Sequence, residues 1–470
     1  MKKLVSFLLL CTIFNTVQGQ TLLSLDSCRA MALRNNKELR IAREKAKSAY
    51  YERKAAFTNY LPKLTATGAY MHNTKEFSLL SDEQKSSLNN LGTNLTNAIP
   101  PLQALGLDGI LNNLGGGLTD ALRTNTRNVY AGAITLTQPL FMGGKIHAYN
   151  QITRYAEQLS KTQENANTQE IILCTDEAYW QVVSLANKKR LAESFLTLVK
   201  QLDSNLEKMI QEGVATKADG LSVKVKVNEA EMTLTKVDDG LNLSKMLLCQ
   251  LCGMEINTPI ELIDEKIENL TLPNNQTEVN TEIALKNRPE IHSLELANKI
   301  YRQKVNITRA EFLPTVALTG NYLITNPSVF NSFENKFRGM WNVGIIVNIP
   351  IFHWGEGIYK VKSAKAQANA MQYQLNEVKE KIELQVNQST FKMNEAAKKL
   401  AMTEKNMEKA EENLRYANLG FKEGVISTSN VLEAQTAWLA AHSDKIDAQI
   451  EVKLTEVYLK KAVGQLSINN

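Results

Sequence analysis

Apolar positions along this chain change period, and they do so in the same order twice. Between Ser24 and Asn59, the residues Ala30, Leu33, Leu39, Ala42, Ala46 and Ala49 recur at helical spacing among arginine, lysine and glutamate, with a break near Asn35-Asn36. That spacing predicts a short helix and a longer one. After Pro62 the period drops to two. Leu64, Ala66, Gly68 and Tyr70 alternate with Thr65, Thr67 and Ala69, and a second run sets Tyr130, Gly132, Ile134 and Leu136 against Ala133, Thr135 and Thr137. Two further runs follow the same rule, Val316 to Ile324 and Trp341 to Ile349. Each strand is predicted at about ten residues, long enough to cross a bilayer when tilted. Tyr70, Tyr130, Tyr322 and Trp341 fall where such strands would meet water.

Pro139 and Pro350 cannot donate to a sheet ladder and are expected to end these strands, after which Gly143, Gly144, Gly355 and Gly357 permit redirection into helix. The helical runs that follow, 145–212 and 356–423, contain no proline and only terminal glycines. A run of about 65 residues spans about 100 Å at ~1.5 Å per residue, which implies a coiled coil or a tube. The runs stop at Gly213-Val214-Ala215-Thr216 and Gly424-Val425-Ile426-Ser427. Glycine there is a C-terminal cap, and Thr216 and Ser427 are N-caps for returning helices that reach Gly253 and Gly464.

The chain is therefore a duplication. Leu61-Pro62 with Thr67-Gly68 and Tyr70 returns 252 positions later as Leu313-Pro314 with Thr319-Gly320 and Tyr322. Pro139-Leu140-Phe141, Glu212-Gly213-Val214 and Gly253 return 211 positions later as Pro350-Ile351-Phe352, Glu423-Gly424-Val425 and Gly464. The difference of 41 is an insertion in the first copy, within about 71–128. Its leucines, Leu88, Leu91 and Leu95, fit short helices or a surface loop, with Pro100-Pro101 and Gly115-Gly116-Gly117 as breakers. The expected organisation is a leader at 1–19, a first repeat at 20–253, a connector at 254–280, a second repeat at 281–464 and a tail at 465–470.

The leader reading rests on Lys2 and Lys3 before the apolar run Leu4 to Phe14 and on Val17-Gln18-Gly19 as a cleavage pattern. No other stretch approaches the ~18 to 20 apolar residues of a spanning helix. The formal charge of +5 is spread over charge-mixed helices, which argues against a nucleic-acid footprint. Cys249-Gln250-Leu251-Cys252 lacks a second pair or an adjoining histidine, so it reads as small buried thiols in a helix, with a local disulfide as the oxidised alternative. His72, His147, His292, His353 and His442 are scattered, and no nucleophile triad, metal spacing or phosphate loop appears. Neither an enzyme nor a cofactor or metal is expected.

Strand pair, Pro-Leu-Phe-x-Gly-Gly or Pro-Ile-Phe-x-x-Gly, long helix, Gly-Val-x-Thr/Ser turn and returning helix, each present twice and in order, resemble the TolC-type outer-membrane efflux protein family. The resemblance covers nearly all of the mature chain. It implies a mainly helical fold with transmembrane β structure, four strands per chain contributing to a twelve-stranded barrel in a homotrimer, and a long helical periplasmic tunnel. Four strands alone cannot close a barrel, for which ~8 is the practical minimum. By the same resemblance the partners are a periplasmic adaptor, an inner-membrane pump and outer-membrane lipid, and the function is a passive export conduit for efflux or type I secretion. The turns at Gly213, Val214 and Thr216 and at Gly424, Val425 and Ser427 correspond to adaptor-docking tips. The pore-narrowing positions fall on Asn430 and Glu433, and Asp219, at an acidic tip position, is expected to belong to the same constriction. Phe421 and Ile426 depart from the family's closing latch, which uses a tyrosine and a basic residue there. The competing reading is a periplasmic coiled-coil adaptor or envelope scaffold, which would have no use for four strands with apolar faces.

Overall fold

The computed structural model describes residues 21–74, 76, 80–99, 106–122, 126–266, 281–330 and 334–467. The expected leader lies outside these residues, as do the connector from 267 onward, Pro100-Pro101 and the last three residues. In the first half the elements are β1 (Thr21–Leu23), α1 (Leu25–Asn35), α2 (Lys37–Phe57), β2 (Lys63–His72), α3 (Asp82–Asn89), α4 (Leu91–Ala98), α5 (Asp108–Ala121), β3 (Asn128–Met142), α6 (Lys145–Gln211) and α7 (Lys217–Cys252). β4 (Ile260–Leu262) follows, and then α8 (Thr281–Asn287), α9 (Pro289–Ala310), β5 (Thr315–Asn326), β6 (Arg338–Asn348), α10 (Glu356–Lys422) and α11 (Thr428–Ala462). Both long helices, α6 and α10, contain 67 residues.

Two compact units result, Glu52–Thr153 with Arg302–Ala366 and Met1–Tyr51 with Arg154–Tyr301 and Gln367–Asn470. The first holds a four-stranded antiparallel sheet in the order β2-β3-β5-β6. Residues opposite each other in an antiparallel ladder share a face. The register sets Leu64 against Leu136, Ile134 against Tyr322, Tyr322 against Trp341 and Leu318 against Ile345. The alternating apolar residues of all four strands therefore lie on one face. Thr65, Thr135, Asn321 and Asn342 lie on the other, where Asn321 Nδ2 donates to Asn342 Oδ1 at 2.9 Å. The apolar face is open: Leu64, Trp341, Val343 and Ile345 are all more than 60% exposed.

Pro139 does not end β3. That strand runs on to Met142, and a register shift between Pro139 and Phe141 absorbs the residue that has no N–H to give. β2 has stopped pairing by then, at Lys63 opposite Thr137. Pro350 does lie beyond its strand, which ends at Asn348.

The glycines Gly115, Gly116 and Gly117 do not break the insertion either, because they lie inside α5. A Cβ on Gly115 would stand 1.8 Å from the Leu88 carbonyl oxygen of α3, and one on Gly92 of α4 would stand 2.0 Å from the Asp108 carbonyl oxygen. These glycines are the sites where short helices touch backbone to backbone.

The second unit is helical, and the duplication is visible in its contacts. α7 ends at Gly253 (φ +69), where a Cβ would meet Asn35 Cβ at 2.5 Å; α11 is followed by Gly464 (φ +71), where one would meet Asn287 Cβ at 3.0 Å. Each repeat thus closes its last helix onto the end of its own first short helix. Asn35 Nδ2 reaches the Cys252 carbonyl in one copy, and Arg288 Nη1 reaches the Lys461 and Ala462 carbonyls in the other. β1 pairs in parallel with β4, Thr21 to Ile260 through Leu23 to Leu262. Arg29 of α1 donates to Asp176 of α6 through Nε (2.7 Å) and Nη2 (2.6 Å), both side chains being buried.

Candidate functional site

The two hairpin tips have the same construction. α6 closes with Gly213 N–H donating to Ile210 O (3.1 Å) and Val214 N–H to Met209 O (2.9 Å). α10 closes with Gly424 N–H donating to Phe421 O (3.1 Å) and Val425 N–H to Gly420 O (2.9 Å). This paired closure satisfies the last helical carbonyls and needs a left-handed residue, which Gly213 (φ +79) and Gly424 (φ +72) supply. The next residue in each turn is an outward valine, Val214 at 69% and Val425 at 82% exposure.

The returning helices start on hydroxyl caps. Thr216 Oγ1 accepts from Asp219 N (3.2 Å) and Ser427 Oγ accepts from Asn430 N (3.4 Å). Beneath both turns lies one apolar cluster, Phe195, Val199, Leu202 and Leu206 of α6 with Val223 of α7 and Val431 of α11, flanked by Phe421 and Ile426. The two latch departures are therefore occupied by residues packed into the tip core. Two helical glycines permit the tight return: a Cβ on Gly220 would stand 2.8 Å from Ile210 Cδ1, and one on Gly420 would stand 2.6 Å from Ile426 Cδ1. The sequence reading gives Gly220 no role and takes Gly420 only as a glycine near the end of its run, though a glycine inside a helical run is the usual signal of close approach.

Asp219 spends its carboxylate within its own hairpin, accepting from Thr216 N (3.2 Å) and from Thr216 Oγ1 (2.6 Å) to complete a capping box. Asn430 and Glu433 are exposed on α11, while Val431, Ala434 and Gln435 of the same turns are buried. The buried side of α11 thus fixes Asn430 and Glu433 on the side facing away from the tip core. Glu433 makes no ion pair with any described residue.

The strand-to-helix turns use left-handed backbone as well, with a twist on the duplication. Gly143 (φ +60) and Gly144 (φ +85) lead into α6, whereas the matching positions before α10 are Trp354 (φ +49) and Gly355 (φ +79). Trp354 is 88% exposed and stacks edge-on to Phe352 at 4.9 Å. Gly357 plays a different part from the one expected, being inside α10 where a Cβ would press on the Phe312 ring at 2.8 Å.

No helix among the described residues is long and apolar enough to cross a membrane, and no group of three or more His, Cys, Asp or Glu is placed to hold a metal.

Comparison with known proteins agrees with this construction. The chain is 23% identical over 376 residues to the alkaline protease secretion protein AprF of Pseudomonas aeruginosa, covering 75% of each chain. It is 21% identical over 379 residues to the outer membrane protein TolC of Escherichia coli, covering 78% of this chain and 75% of that one. The crystal structure of the outer membrane protein VceC from Vibrio cholerae superposes with a TM-score of 0.72 at 17% identity, covering 94% of this chain and 96% of that one. The outer membrane efflux protein model matches residues 29–253 and 281–465, the two repeats in turn, and the chain belongs to that family.

Proposed function

We propose that this protein is the outer-membrane channel of an export machine, a passive conduit that three copies build together. The observation that carries the reading is the sheet: one apolar and exposed face, one threonine- and asparagine-lined face, and two edges, on β2 and β6, that pair with nothing among the described residues. In lipid such edges have to be satisfied, and joining β6 of one copy to β2 of the next three times over gives a closed ring of twelve strands. The threonine face then lines water and the apolar face meets acyl chains. The partners are a periplasmic adaptor seated on the Gly213 and Gly424 turns and an inner-membrane pump behind it. Within the tube, Asn430 and Glu433 narrow the passage, and Asp219 serves the tip through its cap.

The relatives include a protein named for protease secretion and others named for cation efflux, so the pump, and not the channel, selects the cargo. Purified in mild detergent, the protein is expected to run as a trimer with intact strand signal in circular dichroism. A folded monomer that keeps its strands would overturn the proposal, because a single chain leaves both edges open.

A further inference from the structure

Three of the four cysteines of the mature chain meet in one buried place. Cys28 of α1, Cys249 of α7 and Cys252 at the end of α7 are each 0% exposed, in a cluster with Leu23, Tyr179, Val183 and Leu248. Cys252 Sγ donates to the Cys28 carbonyl oxygen at 3.6 Å, which puts the two residues in direct contact. Cys249 Sγ is turned to a different acceptor, the Thr258 carbonyl at 3.7 Å. Cys174 lies half-buried, directed at Glu170.

Sequence spacing favours a link between Cys249 and Cys252, but helix geometry does not. Residues three apart on a helix hold their Cβ atoms about 5–6 Å apart, whereas a disulfide needs about 3.5–4.5 Å, so that link would require the last turn of α7 to unwind. Cys28 approaches Cys252 from a separate helix and carries no such constraint.

We propose that in the exported protein Cys28 and Cys252 are joined by a disulfide that fastens the start of the first repeat to its end. The reaction is thiol–disulfide exchange with an envelope dithiol oxidase. One thiolate attacks the oxidase disulfide, the second displaces it, and the Sγ–Sγ bond forms as the oxidase leaves as a dithiol carrying the two electrons and two protons. The exchange precedes burial. In the folded chain both thiols are fully buried, out of reach of an oxidase. The link closes a separation of 224 residues. The second repeat has no counterpart, since the matching positions are Asn280 and Val463.

The test uses the full protein taken from the outer-membrane fraction, so that failure of export shows as its absence there and is not confused with failure of the link. The chain is unfolded in denaturant and alkylated with a maleimide of known mass, with and without prior reduction. Two labels are expected without reductant, on Cys174 and Cys249, and four with it. A non-reduced digest should contain one species joining the Cys28 and Cys252 peptides. Cys28→Ala should label on all three remaining cysteines without reduction, and Cys249→Ala on one. Four labels on the unreduced wild-type chain overturn the proposal, as does a joined species in which Cys249 carries the bond and Cys252 the maleimide.

Discussion

Replacing Gly424 separates backbone strain from packing at the proposed docking tip. A Cβ added there meets nothing within 4 Å, so no clash contributes and the whole cost comes from holding a substituted residue at φ +72. For an ordinary L-residue in the left-handed region that cost is about 1–2 kcal/mol, and a β-branched residue lies at the upper end. Asparagine visits this region readily and should be tolerated. Gly424→Val is therefore expected to loosen the turn that presents Val425, and re-ordering it in the complex should weaken adaptor binding by about 5- to 30-fold. Gly424→Asn should bind nearly as the native protein does. The trimer should be unaffected in both, since the turn touches neither strand edge. Titration of the purified channel with its adaptor, beside native mass measurement of the trimer, reads each quantity separately. The reasoning fails if valine and asparagine weaken binding equally, because the effect would then be one of side-chain contact and not of backbone conformation. It fails also if neither changes affinity, which would remove this turn from the docking surface.

Glu433 should set part of the ion preference: Glu433→Gln is expected to lower cation selectivity in bilayer recordings and Asn430→Asp to increase block by divalent cations, while an unaltered preference in the Glu433 variant would place that residue away from the pore. The buried Arg29–Asp176 pair should behave as a unit. Burial pushes the Asp176 carboxyl up and the Arg29 hydrogen bonds pull it back, while the same carboxylate holds Arg29 protonated above its ordinary value. Arg29→Met alone should cost about 3–5 kcal/mol in denaturant unfolding, and Arg29→Met with Asp176→Leu should recover most of it; a single variant losing less than about 1 kcal/mol would contradict the burial argument.

What was legible in the sequence was whatever repeats along a single element. The alternation of Leu64 to Tyr70 and of Trp341 to Ile349 located strands, and the Gly-Val turns located the ends of α6 and α10 to within a residue or two. What was not legible depends on distant partners. β1 and β4 are three residues each, too short to carry a period, and they find each other across more than two hundred residues. Pro139 reads as a terminator because local rules price its missing N–H, yet a bulge against β5 lets the strand continue. Trp354 occupies a left-handed position that its chemistry does not advertise. Cys28 lies far in sequence from the Cys-x-x-C it packs against, so spacing alone does not show that contact. The family resemblance places Asp219 at an acidic tip position, whereas its bond to Thr216 follows from the Thr-x-x-Asp spacing of a capping box.

The central seam of the sheet, β3 against β5, joins the second strand of one repeat to the first strand of the other. Closing a ring through β6 and β2 joins the second strand of a repeat to the first strand of the next in the same sense. A chain holding only one repeat would have to make that seam six times between separate molecules. In the proposed trimer the duplication makes every other seam a covalent given, halving the number of bodies that have to meet in the membrane. It also freed the two halves to diverge. The 41-residue insertion sits on one hairpin only, so a ring of three such chains would carry three embellishments instead of six, a threefold pattern laid on a near-sixfold plan.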